Sequence, residues 1–128
     1  MRRRGRGGGR NVQDPFAVIS SNLSRLVEPV LLYLLATDQA HYGYQFLEAA
    51  SDFAITDAEI DAGVIYRTLR GLEEVGYVVS SWAPSTSGPA KRIYQLTPAG
   101  LAHLKRWAAV LMQRGRAMMY FADLCAAL

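Results

Sequence analysis

Asp61-Ala-Gly-Val-Ile-Tyr66-Arg-Thr-Leu69-Arg70-Gly-Leu72-Glu-Glu74-Val-Gly76 is the stretch whose reading decides the fold. Ile65, Leu69 and Leu72 fall at i, i+4 and i+7, the spacing of one apolar helical face. Gly63, Tyr66, Arg67, Arg70 and Glu74 fall on another. Asp61 can cap the start, and Gly76 can end the helix in a left-handed conformation. Two β-type runs follow, Tyr77 to Trp82 and Lys91 to Leu96. Between them, Ala83 to Ala90 is a loop rich in Pro, Ser and Gly. A short helix with a basic exposed face, followed by a hairpin with a basic foot, is the layout of a winged helix-turn-helix. Its helix would enter a DNA major groove while the hairpin touches the backbone beside it. The expected fold is mainly α with a small β-hairpin: a winged helix-turn-helix plus a long C-terminal dimerisation helix.

The same residues carry a family resemblance. Gly63-Val-Ile-Tyr66-Arg-Thr-Leu69-Arg-Gly-Leu72-Glu-Glu-Val-Gly76-Tyr-Val resembles the PadR pattern, in which Gly-Thr-Leu-Tyr precedes Leu-x-x-Leu-Glu-x-x-Gly. His41-Tyr-Gly43-Tyr44 is similar to the family's His-Gly-Tyr, with one residue inserted. Gly88-Pro89, then Arg92-Ile-Tyr94-x-Leu96-Thr97-Pro-x-Gly100, resembles its wing exit and final helix start. The resemblance covers the chain from about Glu28 to Trp107. It implies a dimeric transcriptional repressor, often released from DNA by a small molecule. Periodicity alone supports only a winged helix.

The chain has 128 residues, enough for one domain with a modest core. Its apolar fraction of 51% suits a globular protein. The arginine-rich start is not followed by an apolar run, so no secretory leader is expected. No apolar stretch is long enough to span a membrane. The single cysteine, Cys125, excludes an internal disulfide and fits a reducing cytoplasm, the expected location. Its bland role is packing; a redox role is the sharper alternative. The net charge of +3 hides a split. Arg2, Arg3, Arg4, Arg6 and Arg10 supply five positive charges, so residues 11–128 carry −2. Affinity for phosphates must therefore come from local clusters and the tail.

Three units are expected: a flexible arginine- and glycine-rich tail over 1–13, the winged helix-turn-helix with an N-terminal helical extension over 14–97, and the dimerisation helix over 98–128. The tail reads either as a solvated leader or as an arm on DNA, with RNA binding as a third option. Asp14-Pro15 can start a short helix through Val27, with Phe16, Ile19, Leu23, Leu26 and Val27 on one side. Pro29 is expected to interrupt it, with Glu28 extended and a new helix from Pro29 to about Ala36. Asp38 to Phe53 carries the first helix of the helix-turn-helix, with Tyr44, Leu47 and Ala50 able to face the core. His41 reads as a cap or packing residue, with no second ligand at metal spacing. Asp57, Glu59 and Asp61 precede the recognition helix and favour its amino terminus. An EF-hand beginning at Asp57 is excluded, because Ala62 and Thr68 stand where glycine and an acid are needed. Thr97 can cap the last helix and Pro98 suits its first turn. Leu101, Leu104, Ala108, Leu111, Gly115, Met118, Ala122 and Cys125 alternate spacings of three and four, an a/d seam. A partner helix is the economical cover for so long a seam.

No catalytic motif is present: no Gly-x-Ser-x-Gly, Walker loop or Cys-x-x-Cys. No enzyme activity, cofactor or metal is expected. The candidate DNA contacts are Tyr42, Ala62, Gly63, Tyr66, Arg67, Arg70, Lys91 and Arg92, with Arg2, Arg3 and Arg4 in the tail. Arginines and a tyrosine hydroxyl suit phosphates or a guanine edge, and small residues let the helix start approach. The candidate dimer residues are Leu23, Leu101, Leu104, Ala108, Leu111, Met118 and Ala122. Phe16, Trp107, Val110 and Leu111 could enclose an apolar effector pocket at the dimer junction. Resemblance to the multidrug-sensing PadR members, which bind flat aromatic compounds against a tryptophan, points the same way. The expected partners are an operator in double-stranded DNA, a second copy of the chain and a small aromatic effector, with no membrane. The rival reading is a winged-helix module that binds protein without specific DNA binding.

Overall fold

The deciding stretch is a helix in the computed structural model, which describes residues 26–53, 61–84 and 88–128. In chain order the elements are α1 (Val27–Ala36), α2 (Gly43–Ala50), α3 (Ala62–Glu74), β1 (Val78–Ala83), β2 (Lys91–Leu96) and α4 (Pro98–Ala126). Mainly helical, with a two-stranded antiparallel hairpin between α3 and α4, this is the expected winged helix-turn-helix. The expectations for the tail, for the helix from Asp14 with Phe16 and Leu23, and for Asp57 and Glu59, together with the middle of the loop from Ala83 to Ala90, lie outside the described residues.

The ends of α3 match the reading of the sequence. Asp61 Oδ1 accepts the Val64 N–H at 2.9 Å, which satisfies one of the amide groups left open at a helix start. At the other end Gly76 has φ +85°, and the Tyr77 N–H reaches back to the Leu72 carbonyl at 2.9 Å. Ile65 and Leu69 are fully buried and Leu72 nearly so. Leu31, Leu32, Leu34 and Leu35 of α1, Phe46 and Ala50 of α2, and Val78 and Tyr94 of the wing share their cluster. Each such side chain withdrawn from water contributes ~1.5–3 kcal/mol before entropy is counted. The opposite face of α3, with Gly63, Tyr66, Arg67, Arg70 and Glu74, is exposed.

Two expectations in the first helices need correction. The chain is helical through Glu28 and Pro29, and α1 begins at Val27 rather than at the proline. Pro29 occupies the first turn, where a backbone N–H has no intrahelical acceptor, so its missing donor costs nothing. The extended bias it places on Glu28 is overridden by burial of Val27 and Val30. In α2 the inward residues are Phe46 and Ala50, with Leu47 half-buried. Tyr44 is 66% exposed and does not face the core. The helix starts at Gly43, and Phe46 and Ala50 are four apart on its core stripe, which leaves Tyr44 outside.

The strands pair in register from Val78 opposite Leu96 to Ala83 opposite Lys91. Side chains alternate faces along a strand. Val78, Ser80 and Trp82 therefore share one face with Leu96, Tyr94 and Arg92, the face that continues the core. The His41 carbonyl accepts the Tyr94 N–H at 2.8 Å, which ties the entry of α2 to the wing. The Gln45 side chain accepts the His41 N–H at 2.8 Å, a polar clasp at the start of α2.

Thr97 and Pro98 start α4 as expected. The Thr97 hydroxyl donates to the Gly76 carbonyl at 2.7 Å and accepts the Gly100 N–H at 3.0 Å. The 29 residues of α4 extend about 43 Å at 1.5 Å per residue. Gly100 is buried because the Tyr77 carbonyl lies where a β-carbon would stand. Gly100→Ala is therefore expected to lower stability by about 1–3 kcal/mol, since backbone must move to admit the methyl group. Gly71→Ala in α3 is expected to raise it by about 0.5–1 kcal/mol, because that methyl meets open space and glycine is a weak helix former. Urea unfolding of the two variants checks the opposite signs.

Candidate nucleic-acid interface

Two surfaces flank the exposed face of α3, one toward the wing and one toward α4. The wing side is built from residues that the sequence scatters over half the chain. Tyr42, Gly43, Tyr66, Lys91 and Arg92 line one cleft of about 650 Å³ together with Tyr44, Trp82, Ala90 and Tyr94. Tyr66, Arg70, Glu73, Trp82, Arg92 and Tyr94 line its continuation of about 340 Å³. Five expected DNA contacts, Tyr42, Tyr66, Arg70, Lys91 and Arg92, thus meet around one opening. Ala62 and Gly63 lie exposed at the amino end of α3.

Local packing positions each of these side chains. The Tyr66 ring lies over α2 so closely that its hydroxyl occupies the place of a β-carbon on Gly43. This is a physical reason for glycine in the stretch His41-Tyr-Gly43-Tyr44. Lys91 Nζ sits 4.4 Å from the centre of the Tyr42 ring. The Arg92 guanidinium lies 5.0 Å from the Trp82 ring, directly across the hairpin from it. Such stacking holds a cation in place while leaving its N–H edges free to donate. Among the described residues Glu73 is the one acid in the cleft, and its Oε2 accepts the Ser80 hydroxyl at 2.6 Å.

Arg67 departs from this group. Its Nη1 lies 3.2 Å from the β-carbon position of Gly63, and its side chain lines a separate groove with Glu28, Thr68, Gly71, His103 and Trp107. The exposed face of α3 is therefore divided: Tyr66 and Arg70 face the wing, while Arg67 lies toward α4.

On the α4 side a polar cluster appears that no spacing revealed. Glu28 Oε1 accepts from Trp107 Nε1 at 2.8 Å and lies 2.8 Å from His103 Nε2. Arg106 approaches His103 Nδ1 at 3.3 Å. Arginine can only donate, so Nδ1 accepts and Nε2 carries the proton that His103 gives to Glu28. The His103 ring also stacks on Tyr77, with centres 4.1 Å apart and planes 15° from parallel. The i, i+4 spacing of His103 and Trp107 was visible in the sequence. Their shared acceptor was not, because it is 75 residues from one and 79 from the other.

The other side of Trp107 closes an apolar groove of about 420 Å³, lined by Pro29, Val30, Tyr33, Phe53, Leu104, Lys105, Trp107, Ala108 and Leu111. This groove brings Trp107 and Leu111 together, and Tyr33 and Phe53 join them. Their rings meet edge-on, 5.5 Å apart. Val110 is exposed and is not part of this lining. Its direction differs from that of Leu111 by one residue, about 100° around the helix. The seam divides as well. Leu104 packs against the chain's own core, and Ala108 and Leu111 border the groove. Leu101 is 41% and Met118 60% exposed, and Ala122 and Cys125 are exposed too. Among the described residues, no group of three His, Cys, Asp or Glu side chains could hold a metal ion. No described helix is long and apolar enough to cross a membrane.

The profile of the transcriptional regulator PadR-like family matches residues 31–106. A transcriptional regulator from Clostridium thermocellum superimposes with a TM-score of 0.68 at 21% identity, over 80% of this chain and 95% of that one. A PadR family regulator from Clostridium difficile gives 0.62 at 18% identity, over 74% and 96%. Bacillus subtilis PadR, solved in complex with operator DNA, gives 0.56 at 21% identity, over 66% of this chain and 47% of that one. At these identities the structures establish the fold. No curated protein sequence matches the chain.

The Glu28 cluster yields a direct test. Glu28→Ala is expected to cost about 1–2 kcal/mol, because the half-buried N–H groups of His103 and Trp107 lose their acceptor. It should also shift the tryptophan emission. Glu28→Gln retains a side-chain oxygen and should lose less than half as much in the same denaturation assay.

Proposed function

Because the chain belongs to the PadR-like family of transcriptional regulators, we propose that it binds an operator in double-stranded DNA as a homodimer and represses transcription. The family is one of regulators rather than enzymes. The observation that carries the reading is the gathering of Tyr42, Tyr66, Arg70, Lys91 and Arg92 around one cleft beside the exposed start of α3. That helix enters the major groove by its amino-terminal half, where Ala62 and Gly63 allow close approach. Arg67 and Arg70 take phosphates or a guanine edge, and Lys91 and Arg92 take the backbone beside the groove. Arg2, Arg3 and Arg4 add charge that any DNA sequence attracts. That Bacillus subtilis PadR was solved in complex with operator DNA supports DNA as the partner.

The surface of α4 supports the dimer. From Ala117 to Leu128 the only charged residue is Asp123, and Met118, Met119, Tyr120, Phe121 and Leu124 are all at least half exposed. A helix apolar on every side belongs in an interior. A second copy supplies that interior, through Leu101, Met118 and Ala122 with Leu23, while Leu104, Ala108 and Leu111 support the seam where it leaves the domain. A small planar apolar effector would enter the groove beside Trp107, whose volume is in the range of ligand sites. Phe16 and Val110 would reach it from the dimer side. By touching Trp107 such a ligand changes the helix that sets the separation of the two α3 helices, and DNA binding loosens.

DNA affinity, salt dependence, sedimentation and fluorescence test the proposal. Arg67→Ala should bind operator DNA, recovered by mapping bound sites across the genome, more weakly by about 1–3 kcal/mol. Wild-type binding should fall steeply with added salt, as counterion release requires. A salt-insensitive wild type would favour the protein-binding alternative. Leu111→Glu should sediment as a monomer and lose operator binding. A planar apolar compound should quench the tryptophan emission of the dimer, with Trp107→Phe removing most of the effect and Trp82→Phe little. A wild-type protein that is monomeric at micromolar concentration overturns both the dimer and its pocket.

A further inference from the structure

We propose that the cleft between α3 and the wing clamps the sugar–phosphate backbone of one DNA strand, with Trp82 as its apolar jaw against a deoxyribose. The inference rests on the DNA reading above and adds a contact residue to it. When a helix lies in the major groove and a wing touches the duplex beside it, the strand bordering that groove passes between them. The space between α3 and the wing is open here, and its walls suit that strand. Register places Trp82 opposite Arg92 on the same hairpin face as Ser80 and Tyr94. That face is turned toward α3, since Ser80 donates to Glu73. Near the end of α3 the two elements touch; one turn earlier they diverge, and Tyr66 and Arg70 stand across a gap from Trp82 and Arg92.

The lining combines positive charge with an apolar ring. Among the described residues, Arg70, Lys91 and Arg92 offer three positive charges against the acid Glu73, which accepts the Ser80 hydroxyl. Between these cations Trp82 leaves 63% of its surface in water. The Arg92 guanidinium 5.0 Å from its ring steadies the indole while most of it stays open to a partner. A DNA backbone presents phosphate, then the apolar face of a sugar, then phosphate. Arg70 and Arg92, which line the same gap as Trp82, match the charges, and Trp82 matches the sugar. Neither contact reads a base, so the clamp holds any sequence and aligns α3 for reading.

Because the contact is independent of sequence, a short mixed-sequence duplex at low salt is a sufficient probe. Trp82→Ala should bind it roughly tenfold more weakly, from the apolar area left uncovered. It should keep the wild-type salt slope, since no charge is lost, and Trp82→Phe should recover most of the affinity. Arg92→Ala and Lys91→Ala should instead flatten the slope by about one unit each. Binding should change the tryptophan emission of the wild type, and Trp82→Phe should abolish that change. The clamp is overturned if Trp82→Ala, with an unchanged circular dichroism spectrum, binds the duplex as tightly as wild type. It is also overturned if the emission change persists in Trp82→Phe. A wild-type protein that binds no duplex at low salt overturns the clamp and the DNA reading together, whereas tight binding with a silent Trp82 overturns only the clamp.

Discussion

Ile65, Leu69 and Leu72 must leave water together, and one stripe of α3 is all they need to do so. The leucines of α1, with Phe46 of α2, supply the other half of that burial. Once the stripe is placed, the rest of the helix has no freedom of rotation. Tyr66 and Arg70 must turn toward the wing, Arg67 toward α4, and Gly63 toward solvent. The exposed face is thus a consequence of the buried one. The same burial fixes Val78 and Tyr94, so the wing cannot slide relative to α3 without moving its whole inner face into water.

The second constraint is the docking of α4. Gly100 lies against the Tyr77 carbonyl, His103 against the Tyr77 ring, and Trp107 and His103 both reach Glu28. Tyr77 follows the turn that ends α3, and Glu28 lies in the first turn of α1. The first three turns of the long helix are therefore tied to the two helices that bury the recognition stripe. Its remaining turns leave the domain with their apolar side chains uncovered. Trp107 stands between the apolar groove and the polar one that Arg67 lines. The indole that lines the first thus also holds Glu28 in the second.

Much of this was legible before any coordinates. The cap at Asp61, the left-handed Gly76, the apolar stripe of α3, the hairpin and the start of α4 at Thr97-Pro98 all depend on residues within a few positions of one another. Local steric and hydrogen-bonding rules suffice for them. The same rules misplaced Tyr44, since α2 is only eight residues long and its period could be set in more than one phase. They also misread Glu28-Pro29, where burial of neighbouring residues outweighed a local conformational bias.

The site was legible in its members but not in its grouping. Tyr66, Arg70, Lys91 and Arg92 could be named from residue type and helical phase. That Arg67 parts from Arg70, that Trp82 pairs with Arg92, and that Gly43 makes room for Tyr66 could not be. By itself the sequence determined which segments form helices and strands and which helix face is polar, because those follow from short-range periodicity and the capping of chain ends. Only the tertiary structure decided which polar side chains share a cleft and which acid holds Trp107. Those contacts join residues tens of positions apart, and the packing of apolar faces brings them together without regard to where the polar ones lie in the chain.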